Sequence, residues 1–274
     1  MKVKGSLGSP VNIPSGVPQG SLLGPFLFAA YMGKINFPEF PNVHCIQYAD
    51  DVSIIEPVST PSCEMLPFDH IHNKFGAVGL KLNPSKCKTL LIKRANSFDP
   101  LPLTVPSPPI VHSVRVLGLL LTDTLSWSAQ MSDLLVRASR RLFIIRRLND
   151  VISKKDLICV YHAIITSLFL YACPVYGRLP ETHMNRLERF QTRAHRIICG
   201  KHCKCERFLS LRVQMRDCGL KFLSSCEQHL SHPLNNRVPP RLPNTGLFRL
   251  PYARTSRRLT SFFPYFCALS NGNL

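Results

Sequence analysis

The stretch "VHCIQYADDVSII", residues 43–55, constrains this chain more than any other, because it sets two adjacent aspartates between two apolar runs. Each run has the length and side-chain pattern of a strand, so the pair predicts a β-hairpin with the acids at its tip. Along a strand, neighbouring side chains point to opposite faces, so Asp50 and Asp51 can share an ion only where a turn breaks that alternation. Asp is common in turns for local reasons alone. Two carboxylates at one tip also suit a divalent cation such as magnesium.

The formal charge of +18 adds a second constraint, since a basic balance of that size calls for a polyanionic partner, most often nucleic acid. With 45% apolar residues the chain can bury a core and is not a disordered basic tail. Its 11 cysteines are odd in number and irregularly spaced, which reads as reduced intracellular thiols and not as a disulfide framework. The cluster Cys199, His202, Cys203 and Cys205 is too cramped to surround a tetrahedral zinc ion. The segment "LICVYHAIITSLFLYACPVY", residues 157–176, has the length of a membrane span, yet it carries His162, Thr166, Ser167 and Pro174. It reads as a core helix, with no membrane partner.

Residues 11–21, rich in Pro, Gly and Ser, read as a shaped loop that opens a helix capped by Ser21, with Pro25 in its first turn. "HIHNKFGAVGLKLNPSKCKTLLI" reads as a helix end, a glycine stop, a turn at "NPSK" and a strand "TLLI". A Pro-rich connection at 99–109 leads to a second apolar strand pair in "SVRVLGLLLTD". Helices are expected over roughly 128–148, 153–172 and 181–199. In the first of these, Leu134, Ala138, Leu142, Ile145 and Leu148 form a core stripe, and Arg137, Arg140, Arg141 and Arg147 lie largely off it. Residues 178–216 hold ten Lys/Arg against three acids. The last part of the chain, rich in Pro and basic residues, carries no clear pattern.

The order of these pieces resembles the reverse transcriptases of non-LTR retrotransposons. The matching stretches are "GVPQGSLLGPFLFAAYM" at 16–32, "YADD" at 48–51, "GLKLNPSKCKTLLI" at 79–92, "VRVLGLLLTDTLSW" at 114–127, "ASRRLFIIRRL" at 138–148, "VYHAIITSLFLYACPVYG" at 160–177, "RLERFQTRAHRIICG" at 186–200 and "YARTSRRLTSFFPYF" at 252–266. The resemblance implies an α+β fold: a partial polymerase palm of antiparallel strands with packed helices, followed by a helical thumb. On that reading residues 1–126 are palm, 127–200 thumb and 201–274 a basic C-terminal extension. It implies RNA-directed DNA polymerase chemistry with Mg2+, an RNA template, a DNA primer and deoxynucleoside triphosphates.

By resemblance, Asp50 and Asp51 are catalytic and metal-binding, with Asp50 the ligand that bridges two ions. Tyr48 and Ala49 approach the primer end. Gln19 and Gly20 line the nucleotide and template, although "GVPQGS" by itself is an ordinary turn. Lys86 resembles a lysine near the triphosphate and is equally readable as a solvated turn residue. Leu117 and Gly118 resemble the strand that grips the primer. Arg137, Arg140, Arg141 and Arg147 suit sequence-independent phosphate contacts.

The family also places a third aspartate upstream of the glutamine-bearing loop. Between Met1 and Tyr48 the sole acidic residue is Glu39, beyond that loop. The expectation is therefore a chain lacking that ligand and the fingers, and inactive alone. Two alternatives stand beside it: a non-catalytic basic module that binds nucleic acid, and a retroelement remnant that does not fold stably.

Overall fold

The computed structural model describes residues 2–3, 6–7, 16–17, 20–35, 43–57, 67–92, 108–176, 178–200, 208–250, 252, 258 and 261–272. They divide between two compact units, Met1–Thr89 with Phe98–Pro109, and Leu90–Ser97 with Ile110–Leu274.

The first unit opens with β1 (Lys2–Val3) antiparallel to β2 (Ser6–Leu7). Helix α1 (Gly24–Met32) follows, with a proline in its first turn. It starts later than the sequence predicts, because Ser21 does not cap it as an extended N-cap residue. The Ser21 hydroxyl accepts instead from the Gly24 amide at 3.0 Å, closing a turn before the helix. Strands β3 (His44–Tyr48) and β4 (Asp51–Ile55) form the predicted antiparallel hairpin. Helix α2 (Pro67–Ala77) ends at Gly79, whose φ of 76° belongs to the left-handed region that glycine tolerates.

The core of this unit gathers Met32 at the end of α1 and Ile35 after it with Ile71 and Phe75 of α2, and Cys45, Val52 and Ile54 of the hairpin pack against it. One face of the hairpin is thereby fixed inward. Its register pairs Cys45 with Ile54 and Gln47 with Val52, so His44, Ile46, Tyr48, Asp51, Ser53 and Ile55 occupy the opposite face. Asn83 shapes the predicted "NPSK" turn, its side-chain oxygen accepting from the Ser85 amide at 3.1 Å and the Ser85 hydroxyl at 2.7 Å. The strand after it, β5 (Thr89–Leu90), is shorter than "TLLI".

The second unit contains β6 (Ile110–Val111) and the hairpin β7 (Ser113–Val116) with β8 (Leu119–Thr122). Helices α3 (Ser128–Leu148), α4 (Lys154–Tyr161), α5 (Ser167–Leu170), α6 (Cys173–Tyr176), α7 (Glu181–Cys199), α8 (Leu211–Gln228) and α9 (Phe262–Ser270) follow. The predicted stripe on α3 is the seam of this unit: Leu134, Ala138, Leu142 and Ile145 are all buried and Leu148 packs against them.

Lys154–Tyr176 is long and apolar enough to cross a membrane by length and composition. In the fold it is interrupted, first by a π-helical turn at His162–Thr166 and then at Ala172, whose φ is 53°. The π turn shifts the backbone register, and the Arg141 guanidinium donates to the Ile164 carbonyl within it. Leu157, Tyr161, Ile165, Leu168, Phe169, Cys173 and Tyr176 of this segment lie in the main apolar core.

Two helices lie where the sequence shows no clear pattern. Leu211 and Met215 of α8 join the same core as α3–α7. Farther along, Leu223 packs with Phe248 and with Phe266 and Cys267 of α9 in a second cluster. The start of α8 is capped by another helix: Gln191 of α7 accepts from the Leu211 amide at 2.9 Å and donates to the Leu209 carbonyl at 2.7 Å. Glu188 of α7 accepts from the Ser210 hydroxyl at 2.6 Å and the Arg212 amide at 2.9 Å. Those bonds satisfy amides that a helix N-terminus leaves without intrahelical partners.

Candidate functional site

Asp50 and Asp51 stand where the hairpin reverses. Tyr48 pairs with Asp51, so Ala49 and Asp50 make a two-residue turn. Ala49 takes a φ of 52°, a left-handed conformation that costs a non-glycine residue about 1 kcal/mol or more. The turn swings Asp50 out of the strand alternation, as the sequence requires for two acids to face one ion. Both aspartates are exposed. Asp51 and Tyr48, directly opposite each other, share the face turned away from the core of their unit, and Tyr48 is 66% exposed. No ion pair holds either aspartate among the described residues.

Two carboxylates on an exposed tip fit one magnesium ion, which takes one or two of them and fills its other positions with water and phosphate oxygens. They do not by themselves supply a two-ion site. Among the described residues no group of three or more His, Cys, Asp or Glu side chains is placed to share an ion. Glu56, on the same hairpin, follows the end of β4, about 17 Å of strand from Asp51 at roughly 3.3 Å per residue.

Of the other predicted residues in the first unit, Gly20 is exposed with a φ of 84°, which glycine alone takes without strain. Lys86 is an exposed residue of the Asn83 turn, and its amide donates to the Asn83 carbonyl at 3.0 Å. Gln19 lies outside the described residues, as do His202, Cys203 and Cys205 of the cramped cluster.

In the second unit, Leu117 and Gly118 form the two-residue turn between β7 and β8, with φ of 45° and 83°. Left-handed backbone at both positions is the turn type that matches strand twist in a tight hairpin. Leucine is poorly suited to it, so the tip is strained and the surrounding structure holds it. The Tyr171 hydroxyl donates to the Leu117 carbonyl at 2.8 Å, and Arg115 donates to the Gly118 carbonyl at 3.2 Å. A side chain at position 118 would meet the Tyr171 ring at 3.5 Å. Buried Gln130 of α3 anchors the body of the hairpin by accepting from the Leu120 amide at 2.8 Å.

The four arginines singled out on α3 have different surroundings. Arg137 pairs with Asp133 at 3.3 Å, and Arg115 reaches the same carboxylate at 3.4 Å. Burial pushes the Asp133 carboxyl up, but the hydrogen bonds and charges of the two guanidinium groups outweigh it and hold the pKa below the usual carboxylate range. Arg141 is committed to the Ile164 carbonyl. Arg147 lies 5.3 Å from the centre of the Phe143 ring, and Arg140 is exposed.

A second set of arginines lies on α7, within the basic stretch 178–216 of the sequence. Arg186, Arg189, Arg193 and Arg196 are all exposed, while Met184, Leu187, Phe190, Ala194 and Ile198 of the same helix are buried. Their spacing of three, four and three residues was a legible signal, because it puts them on one helical face.

Comparison with known proteins fits this picture. Residues 1–121 match the family described as reverse transcriptase (RNA-dependent DNA polymerase). The chain is 24% identical over 283 residues to a probable RNA-directed DNA polymerase from transposon X-element of Drosophila melanogaster, covering 90% of this chain and 30% of that protein. It is 23% identical over 212 residues to the RNA-directed DNA polymerase from mobile element jockey of Drosophila funebris, covering 69% of this chain and 22% of that protein. A probable RNA-directed DNA polymerase from transposon BS of Drosophila melanogaster is 22% identical over 222 residues, covering 72% of this chain and 24% of that protein. The chain thus spans under a third of the length of these relatives. No solved structure matches it. Residues 1–121 are therefore similar to the reverse transcriptase (RNA-dependent DNA polymerase) family, in line with the resemblance to the non-LTR retrotransposon enzymes.

Proposed function

We propose that this chain is the portion of an RNA-directed DNA polymerase that carries the paired-aspartate hairpin, followed by helices that track a primer–template duplex. In this reading the first unit belongs to the palm, α3–α7 to the thumb, and the partners are an RNA template, a DNA primer and deoxynucleoside triphosphates. The observation that carries it is the exposure of Asp50 and Asp51 at a strained two-residue turn inside the family-matched segment.

Asp50, freed from the strand alternation, is the stronger ligand for a divalent cation, and Asp51 supports it from the solvent face. Magnesium bound there supplies charge stabilisation to the attacking and departing oxygens of phosphoryl transfer. Tyr48, beside Asp51 on that face, gives the primer end an aromatic surface to rest on. The exposed backbone around Gly20 admits a nucleic-acid strand closely. Lys86 offers a positive charge for the triphosphate, and the Leu117–Gly118 tip presents backbone to the primer. Exposed Arg140 and Arg147 contribute phosphate contacts that carry no sequence preference.

The proposal includes inactivity of the 274-residue polypeptide alone. In-line transfer needs two ions roughly 3.5–4 Å apart, and the hairpin offers only Asp50 and Asp51 to hold them. Removing one member of a set that acts together costs orders of magnitude in rate. A primer-extension assay with an RNA template, a DNA primer, Mg2+ and deoxynucleotides tests this. The expected result is no product above that of Asp50→Ala. Extension that vanishes in Asp50→Ala would overturn the inactivity while keeping the hairpin as the catalytic element.

A further inference from the structure

We propose that Cys173 and Cys218 form an oxidation site. A low-molecular-weight disulfide converts the two thiols into a reversible disulfide that clamps α6 to α8 and stiffens the Leu117–Gly118 tip. The polymerase reading gives that tip its use, but the bond and its effect on the tip do not depend on it.

Geometry supplies the first argument. The apolar segment breaks at Ala172, and the chain restarts at buried Cys173, the first residue of α6. The Cys173 thiol reaches α8, its Sγ lying 3.9 Å from the Met215 carbonyl oxygen. Cys218 follows Met215 by three residues in the same helix. A helical side chain leans back over the turn before it, which for Cys218 is the turn of Met215. Two free thiols thus converge on one carbonyl, and they are hydrogen-bonded to each other.

The second argument is that the two thiols differ in access. Cys218 is partly exposed and Cys173 is buried, so a small disulfide meets Cys218 first. The Cys218 thiolate attacks one sulfur of that disulfide, forming a mixed disulfide and releasing the other half, which takes up a proton. Cys173 then attacks the Cys218 sulfur, its proton passing to the second departing thiolate. The two cysteines are oxidised by two electrons, and the small disulfide is reduced by two. Burial pushes the Cys173 thiol up from its ordinary range, and the Cys218 thiol beside it adds to the rise. Little Cys173 thiolate is present as a result, but a group held in contact reacts at an effective molarity of ~10⁵ M or more, which offsets that scarcity.

The third argument is what the bond would hold. Helix α6 joins the β7–β8 tip to α8. The Tyr171 hydroxyl donates to the Leu117 carbonyl at 2.8 Å, and the Tyr176 hydroxyl of α6 donates to the Tyr171 carbonyl at 3.3 Å. Gln130 donates to the Tyr176 hydroxyl at 3.4 Å and accepts from the Leu120 amide at 2.8 Å. Cys173 stands between Tyr171 and Tyr176 in this run of bonds. A cross-link to α8 restricts the opened states of α6, and the tip tied to α6 opens less often with it.

The test treats the full 274-residue chain with oxidised glutathione and maps the linked peptides by mass spectrometry. A Cys173–Cys218 link that dithiothreitol reverses is the expected product. Cys218→Ser should form no link, and Cys173→Ala should hold glutathione on Cys218 because no second thiol displaces it. The Cys218→Ser result stands even if the buried Cys173→Ala substitution disturbs folding. The oxidised parent is expected to melt roughly 5–15 °C above the reduced one, a gain absent in Cys218→Ser. Hydrogen exchange across residues 115–120 should slow severalfold on oxidation of the parent alone. Linkage of either cysteine to a different partner, or no linkage, would overturn the site. A link that leaves both the melt and the exchange at 115–120 unchanged would overturn the clamp.

Discussion

At the scale of single residues, both hairpin tips carry backbone strain. Ala49 and Leu117 both take positive φ without being glycine, at 52° and 45°. Such positions persist only where their surroundings over-determine them, and they are most often found at functional sites. The Asp-Asp tip was legible in the sequence because alternating apolar runs fix the hairpin and leave only the reversal for the acids. The strain at Leu117 was not legible, since "VRVLGLLL" reads equally well as two strands with the turn at other positions. It is set by Tyr171 and Arg115 reaching the Leu117 and Gly118 carbonyls, and Tyr171 is far away in the chain.

Asp133 yields a pH prediction at the same scale. Its folded pKa is depressed by Arg115 and Arg137 acting against burial. A depressed carboxyl contributes stability that is fully present above its unfolded value of about 3.9 and is lost as pH falls through the lower folded value. Thermal melts of the parent and Asp133→Asn should therefore differ near neutral pH and converge well below pH 4. A difference that stays constant through that range would assign the effect to packing instead of ionisation.

At the scale of elements, α8 shows what a sequence reading loses in a basic, proline-rich region. Its buried residues, Leu211, Met215, Gly219, Leu223 and Cys226, repeat at helical spacing, but a glycine in the middle of the row conceals the stripe. The structure explains that glycine. A Cβ at position 219 would lie 2.0 Å from the Phe266 ring of α9, so the two helices close on each other only with glycine there. Gly219→Ala should destabilise the α8–α9 contact by ~1–3 kcal/mol, the usual cost of overpacking. A lower melting temperature, recovered in part by Gly219→Ala with Phe266→Leu, is the expected result. An unchanged melt for the single variant would show that α9 does not close on α8 as described. The caps at the start of α8 were illegible for another reason: Glu188 and Gln191 act from a different helix, across a loop, and no local motif announces them.

At the scale of the whole molecule, two kinds of chemistry are present, an acidic tip in one unit and arginine-bearing helices in the other. The +18 charge is therefore not uniform decoration. Some guanidinium groups hold the fold together, as Arg212 does with Glu181, and others face solvent along α3 and α7. The sequence conveyed the total charge and the order of motifs. It could not assign each arginine to structure or surface, because that depends on which carboxylates and carbonyls the fold brings near.

The account stands on Asp50 and Asp51 forming a cation-binding tip. The most direct measurement adds substoichiometric Mn2+ to isotopically labelled chain and follows paramagnetic broadening of backbone amide signals. Broadening centred on residues 48–52, lost in Asp50→Ala and reduced in Asp51→Ala, is the predicted result. Broadening centred elsewhere, or unchanged in Asp50→Ala, would contradict it.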